Sequence, residues 1–138
     1  MGGSLRPLVS RRAYDFSNIV TNGQTVATVV HRSVDITQAD AAELCVRIHE
    51  ISNDSAGNVI RVVAKPVGIS PQEPDLDFLA DEVAAVEIGT SGENPAGTLL
   101  IDALTSPFGS AIQLSVEGVR TADDTVTATI SVDLLIRD

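Results

Sequence analysis

The last stretch of the chain, Thr125 to Ile136, alternates without a break. Val126, Ala128, Ile130, Val132, Leu134 and Ile136 share one parity, while Thr125, Thr127, Thr129, Ser131 and Asp133 share the other. Successive side chains of a strand point to opposite faces, so this period of two lines one face with six apolar groups and leaves five polar groups on the other. A strand this long needs neighbours on both edges, because each unpaired backbone donor or acceptor in a buried setting is costly. The chain has to supply those neighbours itself. The expectation is an all-β domain built around its own C-terminal strand.

Other segments carry the same signature. Gln24 to Val34 reads as a strand with Val26, Thr28, Val30, Arg32 and Val34 on one face and Ala27, Val29 and His31 on the other, both faces partly covered. Glu43 to Ile51 places Leu44, Val46 and Ile48 inward and Glu43, Cys45, Arg47 and His49 outward. The polar run Asn53 to Asn58 then turns the chain into Asn58 to Lys65, so Glu43 to Lys65 reads as a hairpin, ended by Pro66 because proline cannot donate to a ladder. Ala84 to Ile88 is a short strand. Thr98 to Leu104 is apolar on both parities except at Asp102, which suits a strand covered on both faces. Ala111 to Arg120 turns Ile112, Leu114 and Val116 inward, and a tight connection at Ala122-Asp123-Asp124 leads into the final strand. Between strands, Thr37 and Asp40 have the spacing of a capping box opening one helical turn. From Pro66 to Glu82, a helix running from Leu76 into Val86 competes with a turn followed by a strand, and the turn is preferred. Seven strands result, or eight if part of the N-terminal segment pairs. This is the spacing of an antiparallel two-sheet sandwich, with a jelly roll the first expectation and an immunoglobulin-like arrangement the second.

The 138 residues suit one domain, and with no Trp, one Tyr and three Phe its core has to be filled by Val, Ile, Leu and Ala. Cys45 is the only cysteine, so no intrachain disulfide staples the fold. The start Met-Gly-Gly-Ser-Leu-Arg-Pro lacks the apolar run of a signal peptide, and nowhere do 18 apolar residues run together, so no membrane span is expected and cytoplasmic assembly fits. Charge divides the chain. Of a net −10, residues 1–22 carry Arg6, Arg11 and Arg12 against Asp15 alone, and the remainder carries 6 basic against 18 acidic residues. A body this acidic repels nucleic acid. With Pro7 and the turn signal Asn22-Gly23, residues 1–22 read as an extended arm ahead of a sandwich domain at 23–138. On that arm Arg6, Arg11, Arg12, Tyr14 and Phe16 are the residues expected to bind a partner, either an acidic protein surface or a neighbouring copy.

The sequence offers little recognisable chemistry. His31 and His49 fall on strands and could be neighbours, but Cys45 and His49, four residues apart on one strand, share a face about 13 Å apart without touching. The acidic run Asp75, Asp77, Asp81 and Glu82 lacks the glycine and the fixed alternation of a calcium loop, and reads as solvated or partner-facing. No phosphate-binding glycine loop occurs, and Gly89-Thr90-Ser91-Gly92 has neither the spacing nor the setting of a nucleophile elbow. Tyr14, Phe16, Phe78 and Phe108 are too few for a sugar-stacking platform. No catalytic residue, metal or cofactor is expected, and the chain does not read as an enzyme.

A resemblance adds to this reading. The segment with Phe16-Ser17-Asn18, the alternating Glu43-Leu44-Cys45-Val46-Arg47-Ile48, the loop Ser70 to Phe78, the turn Thr105-Ser106-Pro107-Phe108-Gly109 and the terminal Ala128 to Leu134 together resemble the plan of the jelly-roll cement, or decoration, proteins of tailed bacteriophage heads. The similarity covers most of the chain from Phe16 on. It implies a structural virion protein without an active site that binds the major capsid protein on the capsid exterior, braces neighbouring capsomers, assembles in the host cytoplasm and forms dimers or trimers. The alternative is a ligand- or host-surface-binding β-sandwich module such as a tail or fimbrial domain.

Overall fold

The computed structural model describes residues 3–17, 24–37, 39–67, 82–105, 111–120 and 125–137. These form eight strands: β1 (Gly3–Asp15), β2 (Gln24–Asp35), β3 (Ala41–Ser52), β4 (Val59–Pro66), β5 (Ala84–Ile88), β6 (Leu99–Ala103), β7 (Ala111–Arg120) and β8 (Thr127–Arg137). None of the described residues is helical. The expected turn, or competing helix, before β5 lies largely at 68–81, outside the described residues, as do the expected turns at 21–23, 106–109 and 122–124.

Two four-stranded antiparallel sheets result, sheet A in the order β1-β8-β3-β6 and sheet B in the order β2-β7-β4-β5. The order has a simple origin. β1 pairs with β8, β2 with β7, β3 with β6 and β4 with β5, so the first half of the chain pairs in reverse with the second half, as one long ribbon. Rolling that ribbon brings β3 against the far edge of β8 and β4 against the far edge of β7. This is the jelly roll. The final strand takes the place its pattern demands: Val132 lies between Val9 of β1 and Val46 of β3, with Leu44, Leu134, Ile48 and Ile130 in the adjacent rows. The core between the sheets is aliphatic, with Leu44, Val46, Ile48, Ile60, Val62, Ile112, Leu114, Val116, Ile130, Val132 and Leu134 all buried.

The N-terminal segment does pair. Gly3–Asp15 runs along β8 as the edge strand of sheet A, with register shifts between Pro7 and Val9 and between Val9 and Arg12. Each shift resets the parity. Val9 and Tyr14, which strict alternation would send to opposite faces, are therefore both buried. Beyond the strand, Phe16 lays its ring against Gly118 of β7, at a spot where a Cβ would overlap the ring carbons.

Several local expectations are corrected. Glu43 to Lys65 is not a hairpin: β3 belongs to sheet A and β4 to sheet B, and the loop at 53–58 crosses between them. Alternation reports which face is buried and is silent on which strand lies alongside. The loop is held by Asn53, buried, whose Nδ2 donates to the carbonyls of Asn58 at 2.5 Å and Gly89 at 3.0 Å. Instead of a capping box at Thr37, the Asp35 carboxylate accepts from the backbone N–H and the hydroxyl of Thr37, and a turn closes from Ala39 N–H to the carbonyl of Ile36. β2 and β6 are less covered than expected because each is an edge strand; residues 25–29 of β2 are exposed, as are Leu99 and Ile101 of β6. Asp102, the exception in its apolar run, turns inward and accepts the N–H of Ala85 at 2.9 Å, tying the edge of sheet A to that of sheet B.

Candidate functional site

The edge strands β1 and β2 lie on one side of the sandwich, and the residues singled out by charge gather there. On β1, Arg6 pairs with the inward-facing Leu134 and Arg12 with the inward-facing Ile130, so both arginines sit on the core parity of an edge strand. There they reach over the gap between the sheets instead of into the core. Arg6 donates from Nη1 to the carbonyl of Asp35 at the end of β2, 2.5 Å away. The guanidinium of Arg12 lies 5.2 Å from the centre of the Tyr14 ring, a cation–π contact. Between them the strand bulges. Arg11 takes φ +46°, a left-handed conformation uncommon for a side-chain-bearing residue, and its N–H donates to Ser131 Oγ at 3.0 Å.

Both histidines brace this bulge, from different sheets. His31 of β2 donates from Nε2 to the carbonyl of Leu8 at 2.5 Å, and His49 of β3 is hydrogen-bonded through Nε2 to Ser131 Oγ at 2.8 Å. The two are thus not on adjacent strands, contrary to one sequence reading. An open depression of about 580 Å³ follows the bulge, lined by Leu8 to Ala13 of β1 and by Val30 and His31 of β2.

The five expected partner-binding residues separate into two groups. Arg6, Arg11 and Arg12 are exposed. Tyr14 and Phe16 are 6% and 5% exposed and belong to the core. Burial pushes the Tyr14 hydroxyl above its usual pKa, with the charge of Arg12 pulling the other way. Neither Arg11 nor Arg12 has a carboxylate partner among the described residues, whereas Arg61 pairs with Glu82 at 2.7 Å and Glu117 at 3.3 Å, and Arg137 with Glu43 at 3.6 Å. Sequence reasoning weighs His31 only as a possible neighbour of His49 and does not single out Ser131 at all. The alternation of β2 and β8 marks their strands, but their approach to β1 exists only once the ribbon has rolled.

Elsewhere the arrangement offers little to a reaction. Burial, with Glu43 and Asp133 nearby, raises the pKa of Cys45 and lowers its thiolate fraction, which makes it a poor nucleophile. Among the described residues no three metal-ligating side chains converge. The acidic run at 73–81 lies outside the described residues, apart from Glu82.

The fold therefore defines an all-β jelly-roll domain with a basic edge. No family model matches the sequence, and no curated protein matches it. Among solved structures, the chain is similar to the VP2 subviral particle of infectious bursal disease virus, with 10% identity and a TM-score of 0.53 over 98% of this chain. It is also similar to the structure of the Gx strain of the same virus, with 14% identity and a TM-score of 0.47 over 98% of this chain. The chain spans about a third of the length of either, 32% and 31%. At such identities the likeness is one of fold.

Proposed function

We propose that this chain is a structural component of a virion, a cement subunit that docks through its β1–β2 edge on the outer surface of a capsid lattice and braces neighbouring capsomers. The observation that carries the reading is the basic edge. Arg11 and Arg12 lie exposed beside an open depression, without carboxylate partners among the described residues, on a molecule whose net charge is −10. Such a site fits an acidic surface of the major capsid protein, and the rest of the molecule repels nucleic acid. The jelly roll shared with the VP2 subviral particle supports a place in a shell, and the resemblance to tailed-phage cement proteins supports attachment to its exterior after assembly in the host cytoplasm. Weak contacts suffice there, because a lattice presents the same surface many times and a bridging subunit engages more than one copy at once.

Removing residues 1–16 is a poor test, because it takes Val9, Tyr14 and Phe16 out of the core together with the arginines. Charge reversal at exposed positions is cleaner. The Arg11→Glu/Arg12→Glu variant should keep its circular dichroism spectrum and lose co-sedimentation with shells assembled from the major capsid protein of the same virus, by about 10-fold or more in affinity. Attachment that survives both reversals would sink the reading of the site. A wild-type chain that ignores the shells but binds host-surface glycans or proteins would favour a ligand-binding module instead.

A further inference from the structure

Of the four edge strands among the described residues, three are blunted, and one has no such device there. β1 carries Pro7, two register shifts and the left-handed Arg11, and β2 carries two register shifts and the bridging His31. On β5, the N–H of Ala85 is taken by Asp102, and the carbonyl of Val83 just before the strand by the N–H of Thr105. These are the devices that keep sheet edges from pairing with other chains. β6 has none of them on its open side. It runs without a bulge or a proline, and its outward side chains are Leu99, Ile101 and Ala103, of which Leu99 is 45% and Ile101 55% exposed. An open groove of about 200 Å³ separates it from β5 and reaches Leu100, Ile101 and Asp102.

Among the described residues the backbone of this edge is equally unpaired. Leu104 donates its N–H to Ala42 of β3 at 2.9 Å, so Leu100 and Asp102, on the same parity and opposite Val46 and Leu44, also direct their backbone groups toward β3. Leu99, Ile101 and Ala103 then point N–H and C=O away from β3, and among the described residues no strand pairs with them there.

We propose that this edge docks a second copy of the chain: two β6 strands pair antiparallel about Ile101 and join the two A sheets into one sheet of eight strands. This inference goes beyond the shell-binding role and stands independently of it. A second copy fits because the edge is complementary to itself. About a two-fold axis at Ile101, each Ile101 faces the other and each Leu99 faces the partner's Ala103, so every free donor at these positions meets a free acceptor. The outward side chains form an apolar cluster across the seam. The strand is only five residues long, which places the interface below the standard size of stable complexes and makes the dimer concentration-dependent. Each copy also carries −10, so added salt screens the mutual repulsion and tightens the pair.

The test is the mass of the full chain by light scattering from about 1 μM to about 500 μM, at low salt and at about 1 M salt. The wild type should move from 14.4 kDa toward twice that value as concentration rises, and at lower concentration in high salt. Ile101→Lys, on an exposed side chain, should remain folded and monomeric throughout, while Leu5→Lys, at the opposite edge of sheet A, should dimerise as the wild type does. A wild type that stays monomeric over the whole range, or an Ile101→Lys variant that dimerises undiminished, overturns the proposal. Neither result bears on shell attachment, which the β1 arginines report separately.

Discussion

Gly118 is the residue whose side chain matters most by not existing. It sits in β7 between Val26 of β2 and Ile60 of β4, on the core parity, and the Phe16 ring fills the space its Cβ would occupy. That ring closes the end of the core beyond β1, where the backbone is further pinned by the N–H of Phe16 donating to Val126 at 2.8 Å and by Arg120 donating to the carbonyl of Ser17. Glycine normally weakens a strand, so its presence here reflects close approach rather than flexibility. Gly118→Ala should cost about 1–3 kcal/mol through overpacking, read as a lower urea midpoint. Phe16→Ala alone should cost about 3–5 kcal/mol. In the Phe16→Ala background the added Gly118→Ala should cost almost nothing, because the ring it collides with is gone. Additive costs in this double-mutant cycle would mean that the two residues do not share that space. The sequence displayed a lone Phe16 and a glycine in a strand, but the distance of 102 positions between them hid the relation.

The elements were legible where alternation is unbroken and illegible where an edge or a loop intervenes. β3 as far as Ile48, and β7 and β8, show their inward faces in the sequence because a central strand keeps one face buried over these stretches. β1 hides its own, since the register shift between Val9 and Arg12 puts Val9 and Tyr14 on the same face at an odd spacing. The basic site was half legible for the same reason: Arg6, Arg11 and Arg12 announce themselves by charge, whereas Tyr14 and Phe16 look like arm residues until the pairing with β8 is known. The β3–β4 connection misleads most, because a short polar loop between two alternating strands is as compatible with a crossover between sheets as with a hairpin. What fixes the crossover is Asn53, which ties its own loop to the 89–94 loop through its bond to the Gly89 carbonyl and through Ser91, whose hydroxyl accepts the Asn53 N–H at 3.0 Å. Asn53→Ala strands two carbonyls at a buried position, each a desolvation cost of about 1–3 kcal/mol. The expected loss of stability is about 2–4 kcal/mol, with amide exchange faster in both loops; a loss under about 0.5 kcal/mol would show that the loops hold without it.

At the scale of the whole molecule, salt should act in opposite directions on the forces that hold the fold and on the proposed attachment through the β1 arginines. The body is strongly acidic, and only a few of its carboxylates lie in ion pairs among the described residues, chiefly around Arg61, which Glu82, Glu117 and Glu87 surround. Pairs at this degree of exposure contribute little, so the larger electrostatic effect is the mutual repulsion of unpaired carboxylates, which favours the expanded, unfolded chain. The aliphatic core is indifferent to moderate screening. Raising sodium chloride from about 0.05 M to about 1 M shortens the screening length from well over 10 Å to about 3 Å and should therefore raise the thermal midpoint of this chain by several degrees. The attachment proposed for Arg11 and Arg12 would be an attraction between opposite charges, and the same salt should weaken it. A single titration followed by calorimetry and by co-sedimentation reads both. If stability and attachment rise together, the shell contact is apolar and the β1 arginines are not its source; if both fall, charge repulsion does not govern the stability of the body. Only the divergent result, firmer folding with looser attachment, matches a molecule whose acidic body and basic edge serve different ends.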